Sequence, residues 1–246
     1  MDWSRFDTVI MQDYTGYTDR RTGTDAALAN VGLSGEVIRR WQFPSPFDDR
    51  LLACLNRNRC VTDVGTFSCT MGHYSILKTA YELGISHVLV LEDDIRFLRD
   101  HVLLQTIIDG LPGDYDFAKF EWYPRGSESA SYFEKVKSSS PDGSFWAVLP
   151  SSERTCGAGM SAYSREGMKW KIDLIEKAVD FRNEIRSIDT YDGFGLIPNG
   201  LHVYVSIPVA AVQGVTSGPR IHKAYKPYGV FLHGGSRDSY DLVDCS

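Results

Sequence analysis

This sequence predicts an α/β domain with a mostly parallel central sheet flanked by helices, and three observations predict it. The chain opens with a strand, a helix and a second strand in that order, the start of a doubly wound sheet. The run Val88-Leu89-Val90-Leu91 is apolar at every position, as expected of a parallel strand covered on both faces. Apolar residues recur at helical spacing in the segments between the strands.

The elements follow in chain order. Thr8 to Met11 is the first strand, and a loop rich in Thr, Gly and Asp runs from Asp13 to Gly23. Thr24 can cap a helix through Leu33, with Ala26, Ala27, Leu28 and Val31 helping to form its inner side. Val37 to Phe43 is the second strand, stopped by Pro44 and Pro46. Asp48 to Asn58 reads as helical. A clear helix spans Gly72 to Leu83, carrying Tyr74, Leu77 and Tyr81, and Gly84 ends it. The apolar strand follows at once, and Asp116 to Trp122 offers another. Pro124 to Asp142 is a long polar segment of the kind that forms functional lids. Phe145 to Leu149 is a strand. Cys156 to Tyr163 is a strand of small residues, which predicts close packing against its backbone. Ser164 caps a helix in which Met168, Ile172, Ile175 and Val179 recur. Leu201 to Val212 is a late strand region broken by Pro208. No internal repeat or linker interrupts the chain, so residues 1–246 read as one domain.

Composition excludes several classes. Of 246 residues, 43% are apolar and 24% charged, enough for a sizeable core. A net charge of −6 argues against a broad nucleic-acid surface. No apolar run approaches the ~20 residues that span a bilayer, and the N-terminal segment lacks a leader's apolar core, so the expected location is the cytoplasm. Peripheral contact with a membrane-bound substrate is compatible with this. The five cysteines, Cys54, Cys60, Cys69, Cys156 and Cys245, are odd in number and fit no zinc spacing, which favours reduced, mostly buried thiols.

The chemistry concentrates at Glu92-Asp93-Asp94, directly after the apolar strand. In an open α/β sheet, ligands sit at the carboxyl ends of the strands. Carboxylates gathered there repel one another unless a cation offsets them, and oxygen donors favour Mg²⁺ or Mn²⁺. In an extended chain Glu92 and Asp94 share one side and Asp93 takes the other. Asp94 and Glu92 are therefore the candidate metal ligands, and Asp93 is a candidate for the donor ribose. The plain alternative is an acidic turn partnered by Arg96 and Arg99.

The segment from Cys69 through Gly72-His73 and Gly84 to Glu92-Asp93-Asp94 resembles glycosyltransferase family 25, which includes bacterial lipooligosaccharide galactosyltransferases and collagen galactosyltransferases. Gly157 to Gly167, Ser187-Ile188-Asp189, and Ile207-Pro208 through Gln213 to Ser217 are similar to later family motifs in the same order. The resemblance covers roughly residues 60–220. The chain departs from the pattern at Gly72, where the family has Ser, and at Ser68, where it has Gly. After strand one it has Met11-Gln12-Asp13-Tyr14, with Asp19-Arg20-Arg21 only later, where the family carries an Asn-Leu and Arg-rich signature.

The resemblance implies a GT-A-like fold with a Rossmann-like sheet, a nucleotide-sugar donor, a divalent metal (Mn²⁺ or Mg²⁺) and an inverting transfer. The expected activity moves galactose or a related hexose from a UDP-sugar to a glycan or glycolipid hydroxyl, as in lipopolysaccharide biosynthesis. Inversion requires a base opposite the leaving group, and Asp189, then Asp192, are the candidates. His73, near the start of the expected helix, is placed to meet the donor diphosphate. Arg20 and Arg21 are candidates for its phosphates. Glu92, Gln213 and Ser217 complete the donor set. His222 and His233 are candidates for a metal shell, and Trp122, Tyr123, Trp146 and Tyr225 for an acceptor groove. A non-catalytic sugar-nucleotide or glycan-binding module, and a metal-dependent phosphotransferase or nuclease, are the competing classes.

Overall fold

The computed structural model describes residues 1–14, 18–33, 37–43, 64–97, 100–124, 135–138, 140, 143–149, 155–180, 188 and 200–213. Seven strands form its central sheet: β1 (Thr8–Tyr14), β2 (Ile38–Phe43), β3 (His87–Glu92), β5 (Phe117–Lys119), β7 (Trp146–Val148), β9 (Met160–Ser164) and β10 (Val203–Ser206). Their order across the sheet is β2-β1-β3-β9-β5-β10-β7. β1 runs parallel to β2 and β3, and β10 runs parallel to β5. β9 is antiparallel to both β3 and β5, and β7 is antiparallel to β10. The mostly parallel α/β class expected from the sequence is therefore present. Two small ribbons flank the sheet: β4 (Ile95–Phe97) with β11 (Ala211–Gln213), and β6 (Tyr123–Pro124) with β8 (Thr155–Cys156).

Helices cover both faces. On one side α2 (Val64–Glu82) and α4 (Arg165–Asp180) bring Ile76, Leu77, Ala80, Met168 and Ile172 against Ile10, Val88, Val90, Phe117 and Val205. On the other, α1 (Thr18–Asn30) and α3 (His101–Asp109) bring Leu28, Leu104, Ile107 and Ile108 against Met11, Leu89, Leu91 and Ala118. Alternate residues of β3 thus enter different cores, which explains why every position from Val88 to Leu91 is apolar. Burying each such side chain contributes about 1.5–3 kcal/mol.

Several boundaries differ from expectation. α1 begins at Thr18, so Thr24 lies inside the helix rather than capping it, and part of the expected 13–23 loop is helical. Gly23 lies within α1, where a Cβ would meet Arg96 Nη2 at 2.5 Å. α2 begins at Val64, two turns earlier than the expected start at Gly72. The small-residue strand is two strands, β8 and β9, separated by Gly157 at φ +92°. α3 is an addition to the expected elements. Its signals are ordinary: Asp100 Oδ1 accepts from the Leu103 N–H at 2.9 Å, and Gly110 follows its last turn. Ser164 caps α4 as expected, its hydroxyl accepting from the Gly167 N–H at 3.2 Å. The late strand breaks at the Ile207-Pro208 bond, which is cis. The expected 48–58 helix and most of the 124–142 segment lie outside the described residues.

Candidate active site

The strand order fixes where a ligand site belongs. The chain leaves β1 for β2 on one side, through α1 on one face. It then returns to β3 on the other side of β1, with α2 on the opposite face. This reversal makes the carboxyl ends of β1 and β3 a topological switch point, the crevice where open α/β sheets bind ligands. Gln12 of β1 is paired in register with Glu92 of β3 at that edge. Asp13 is buried and meets Arg40 Nη1 at 3.3 Å.

Side-chain alternation sends Glu92 toward the α2 face. There its Oε1 lies 3.0 Å from His73 Nε2 and 3.2 Å from Cys69 Sγ. Asp93 and Asp94 form the turn between β3 and β4, so the extended-chain rule that put Glu92 and Asp94 on one side stops at Glu92. Asp93 is only 2% exposed, and its carbonyl accepts a hydrogen bond from Thr24 Oγ1. Asp94 is half-buried at the edge. Arg96 donates to Thr24 Oγ1 at 2.9 Å and to the Ile95 carbonyl at 2.8 Å. Arg96 is thus committed to tying α1 to the turn.

His73 is fully buried and lies near the middle of α2, not at its start. The backbone N–H groups around it belong to the helix's own hydrogen-bond ladder, so the expected anion site at a helix N-terminus is not there. The helix runs through Gly72, where the missing side chain leaves room for the Gln12 amide. A Cβ at Gly72 would collide with Gln12 Nε2, and that nitrogen donates to the Cys69 carbonyl at 3.3 Å. Among the described residues His73 Nδ1 has no hydrogen-bond partner.

Further along the same edge lies a buried polar group absent from the sequence-based candidates. Glu121 Oε2 accepts from the Gly159 N–H at 2.6 Å, and a Cβ on Gly157 would come within 3.0 Å of that carboxylate. The close packing expected of the small-residue segment is therefore against Glu121. Lys119 Nζ donates to Thr155 Oγ1 at 3.3 Å, and Lys171 Nζ donates to the Ile188 carbonyl at 3.3 Å. Both ammonium groups sit over the Phe117 ring, at 5.9 and 5.2 Å from its centroid. Fully buried lysines are uncommon and costly unless partnered. The available signal was that Lys119 and Glu121 interrupt the otherwise apolar run from Phe117 to Trp122.

Of the remaining candidates, Arg20 lies in the first turn of α1, and Gln213 on β11 is paired in register with Ile95 beside the acidic turn. Asp189, Asp192, Ser217, His222, His233 and Tyr225 lie outside the described residues. Trp122 and Trp146 are core residues, not groove lining. Both are buried, and their indole N–H groups donate to the Ser206 and Ile107 carbonyls at 2.8 Å.

No family model matches the chain, and no curated protein matches it. Several solved structures are similar in outline. A glycosyltransferase involved in glycosylation of the major capsid of PBCV-1 has 12% identity, covering 89% of this chain and 97% of that one, at a TM-score of 0.45. The galactosyltransferase LgtC, solved with donor and acceptor sugar analogs, has 14% identity over 80% of this chain and 72% of its own, at 0.38. Mannose-1-phosphate geranyltransferase from Thermus thermophilus has 12% identity over 81% and 73%, at 0.39. These are likenesses of chain outline, and they carry no residue role or substrate across to this protein.

Proposed function

We propose that this protein is a metal-dependent, inverting, GT-A-like glycosyltransferase that moves a hexose, galactose or a close relative, from a UDP-sugar to a hydroxyl of a glycan or glycolipid. The observation that carries the reading is the position of Glu92-Asp93-Asp94 at the switch point between β1 and β3. Donor chemistry favours Asp94 as the holder of Mn²⁺ or Mg²⁺. Glu92 Oε1 already meets a sulfur and an imidazole, whereas Asp94 offers oxygen alone at the half-buried edge. When bound there, the cation supplies charge that offsets what develops on the leaving diphosphate.

The chain's own residues take the other tasks. Asp93 and Thr24 hold the turn against α1, so that Asp94 is presented from a fixed backbone. Asp189, or Asp192 after it, takes the proton from the acceptor hydroxyl on the face opposite the leaving group. Lys171 Nζ bonds the carbonyl of Ile188, the residue before Asp189. Arg20, Gln213 and Ser217 contact the donor.

The test is a panel of nucleotide sugars with and without Mn²⁺, with product stereochemistry read directly. Asp94→Asn is expected to lower turnover by about 10²-fold or more, and Asp189→Ala by a similar factor. Mn²⁺-dependent UDP binding without turnover would instead identify a binding module. Absence of both binding and turnover would overturn the reading.

A further inference from the structure

We infer that Cys69, His73 and Glu92 form a transition-metal site of the Zn²⁺ class, distinct in chemistry from the oxygen-only edge at Asp94. This stands beside the proposed activity and does not rest on it. Cys69 and His73 are four residues apart on α2, so both project from one side of the helix. Glu92 comes from the opposing end of β3. The three donor atoms lie within 4.8 Å of one another, with Oε1 3.2 Å from Sγ and 3.0 Å from Nε2.

Those separations can be compared with what a metal requires. Zinc bonds of about 2.3 Å to sulfur and about 2.0 Å to nitrogen and oxygen, at a tetrahedral angle, put S···O near ~3.5 Å and N···O near ~3.3 Å. The two sides that meet at Glu92 Oε1 are a few tenths of an ångström tighter, the size of adjustment that an outward rotation of the Glu92 side chain supplies. Thiolate and imidazole together select Zn²⁺ or Co²⁺ over Mg²⁺ and Ca²⁺. Three protein ligands leave one position for water or a substrate oxygen, as in open zinc sites.

The frame around the triangle is closely packed. His73 is flanked on α2 by the buried Ile76 and Leu77, β3 is buried from Val88 to Glu92, and the Gln12 amide packs at Gly72 and bonds the Cys69 carbonyl. Donors held this firmly on a helix and a strand are the supports that metal sites need. Cys69 is half-buried, so an ion can enter from its side.

The experiment uses the full chain, freed of metal by chelation and titrated with Co²⁺. Expected are a sulfur-to-cobalt charge-transfer band in the near ultraviolet, tetrahedral d–d bands in the visible, and displacement by about one equivalent of Zn²⁺ but not by excess Mg²⁺. Cys69→Ser should abolish the charge-transfer band while retaining the far-UV circular dichroism of the parent. His73→Gln should weaken Zn²⁺ affinity by more than the ~10–100-fold that loss of an outer supporting partner costs. Asp94→Asn should leave the cobalt spectrum unchanged, which separates this site from the proposed catalytic cation. A parent chain that gives no charge-transfer band overturns the inference even if no variant folds, and so does a band that survives in Cys69→Ser.

Discussion

A hydrogen in place of a side chain at Gly72 lets the Gln12 amide lie against α2 and bond the Cys69 carbonyl. Gly72 and Gln12 thus meet in space, the small residue leaving room for the amide. Gly72→Ser should destabilise the protein by about 1–3 kcal/mol, the range for overpacking a filled site. In a Gln12→Ala background the same change should cost less, because the atoms it collides with are gone. Denaturant unfolding of the four proteins in this cycle measures the coupling. Additive effects would mean that the two side chains do not share that space. At this scale the sequence was half legible. Its pattern singled out Glu92 and Asp94 as candidates and put them at a strand's carboxyl end, but it could not show that Glu92 faces Cys69 and His73, because that contact depends on where α2 begins.

Elements are held together at a few close approaches, and α4 provides the clearest. Ser164 Oγ accepts from the Gly167 N–H and donates to Asp116 Oδ1 at 3.0 Å, while the Asp116 carbonyl occupies the space a Gly167 Cβ would need. Gly167→Ala must move α4 away from the start of β5. Its cost should reach or exceed the ~3 kcal/mol upper range of overpacking, far more than the fraction of a kcal/mol gained from helix propensity at an exposed position. Thermal unfolding measures this, and an unchanged midpoint would refute the contact. α4 is also tied to α2 at the surface, where Glu176 Oε1 accepts from Lys78 Nζ and from Tyr74 Oη, both at 2.7 Å. Hydrogen bonds from Lys78 and Tyr74 hold the Glu176 carboxyl below its usual range. A depressed carboxyl contributes stability that is present above the unfolded value, 4.5, and is lost as pH falls through the folded one. The stability difference between the parent and Glu176→Gln should therefore be largest near neutrality and vanish in acid. It should be small throughout, since both side chains are well exposed. Strands and helices with strong periodicity were legible at this scale. Boundaries were not, because Gly23 and Gly72 read locally as breaks yet serve tertiary contacts with Arg96 and Gln12.

Across the whole molecule, the legible feature was the layered plan. An all-apolar strand implies cover on both faces, and the two cores on either side of β3 supply it. What the sequence does not print is strand order, and strand order assembles the site. β9 enters between β3 and β5, which brings Gly157 to Gly159 against Glu121 and sets Lys119 opposite Ser161. The same order puts the acidic turn at the switch point, and a ligand bound there touches elements that the chain joins only through long connections. Such a ligand should stabilise the fold as a unit. A ligand that binds only the native state adds RT ln(1 + [L]/Kd), about 2.7 kcal/mol at a hundredfold excess over Kd. For a chain of this size ~1 kcal/mol moves the midpoint by about 2–4 °C, so UDP with Mn²⁺ should raise it by roughly 5–11 °C. UDP alone should give less, and Asp94→Asn should remove the Mn²⁺-dependent part while leaving the unliganded midpoint close to the parent's, since Asp94 lies at the half-buried edge rather than in either core. A shift indifferent to Mn²⁺, or equal in Asp94→Asn, would place the nucleotide away from the acidic turn and break the link between strand order and function on which the proposal depends.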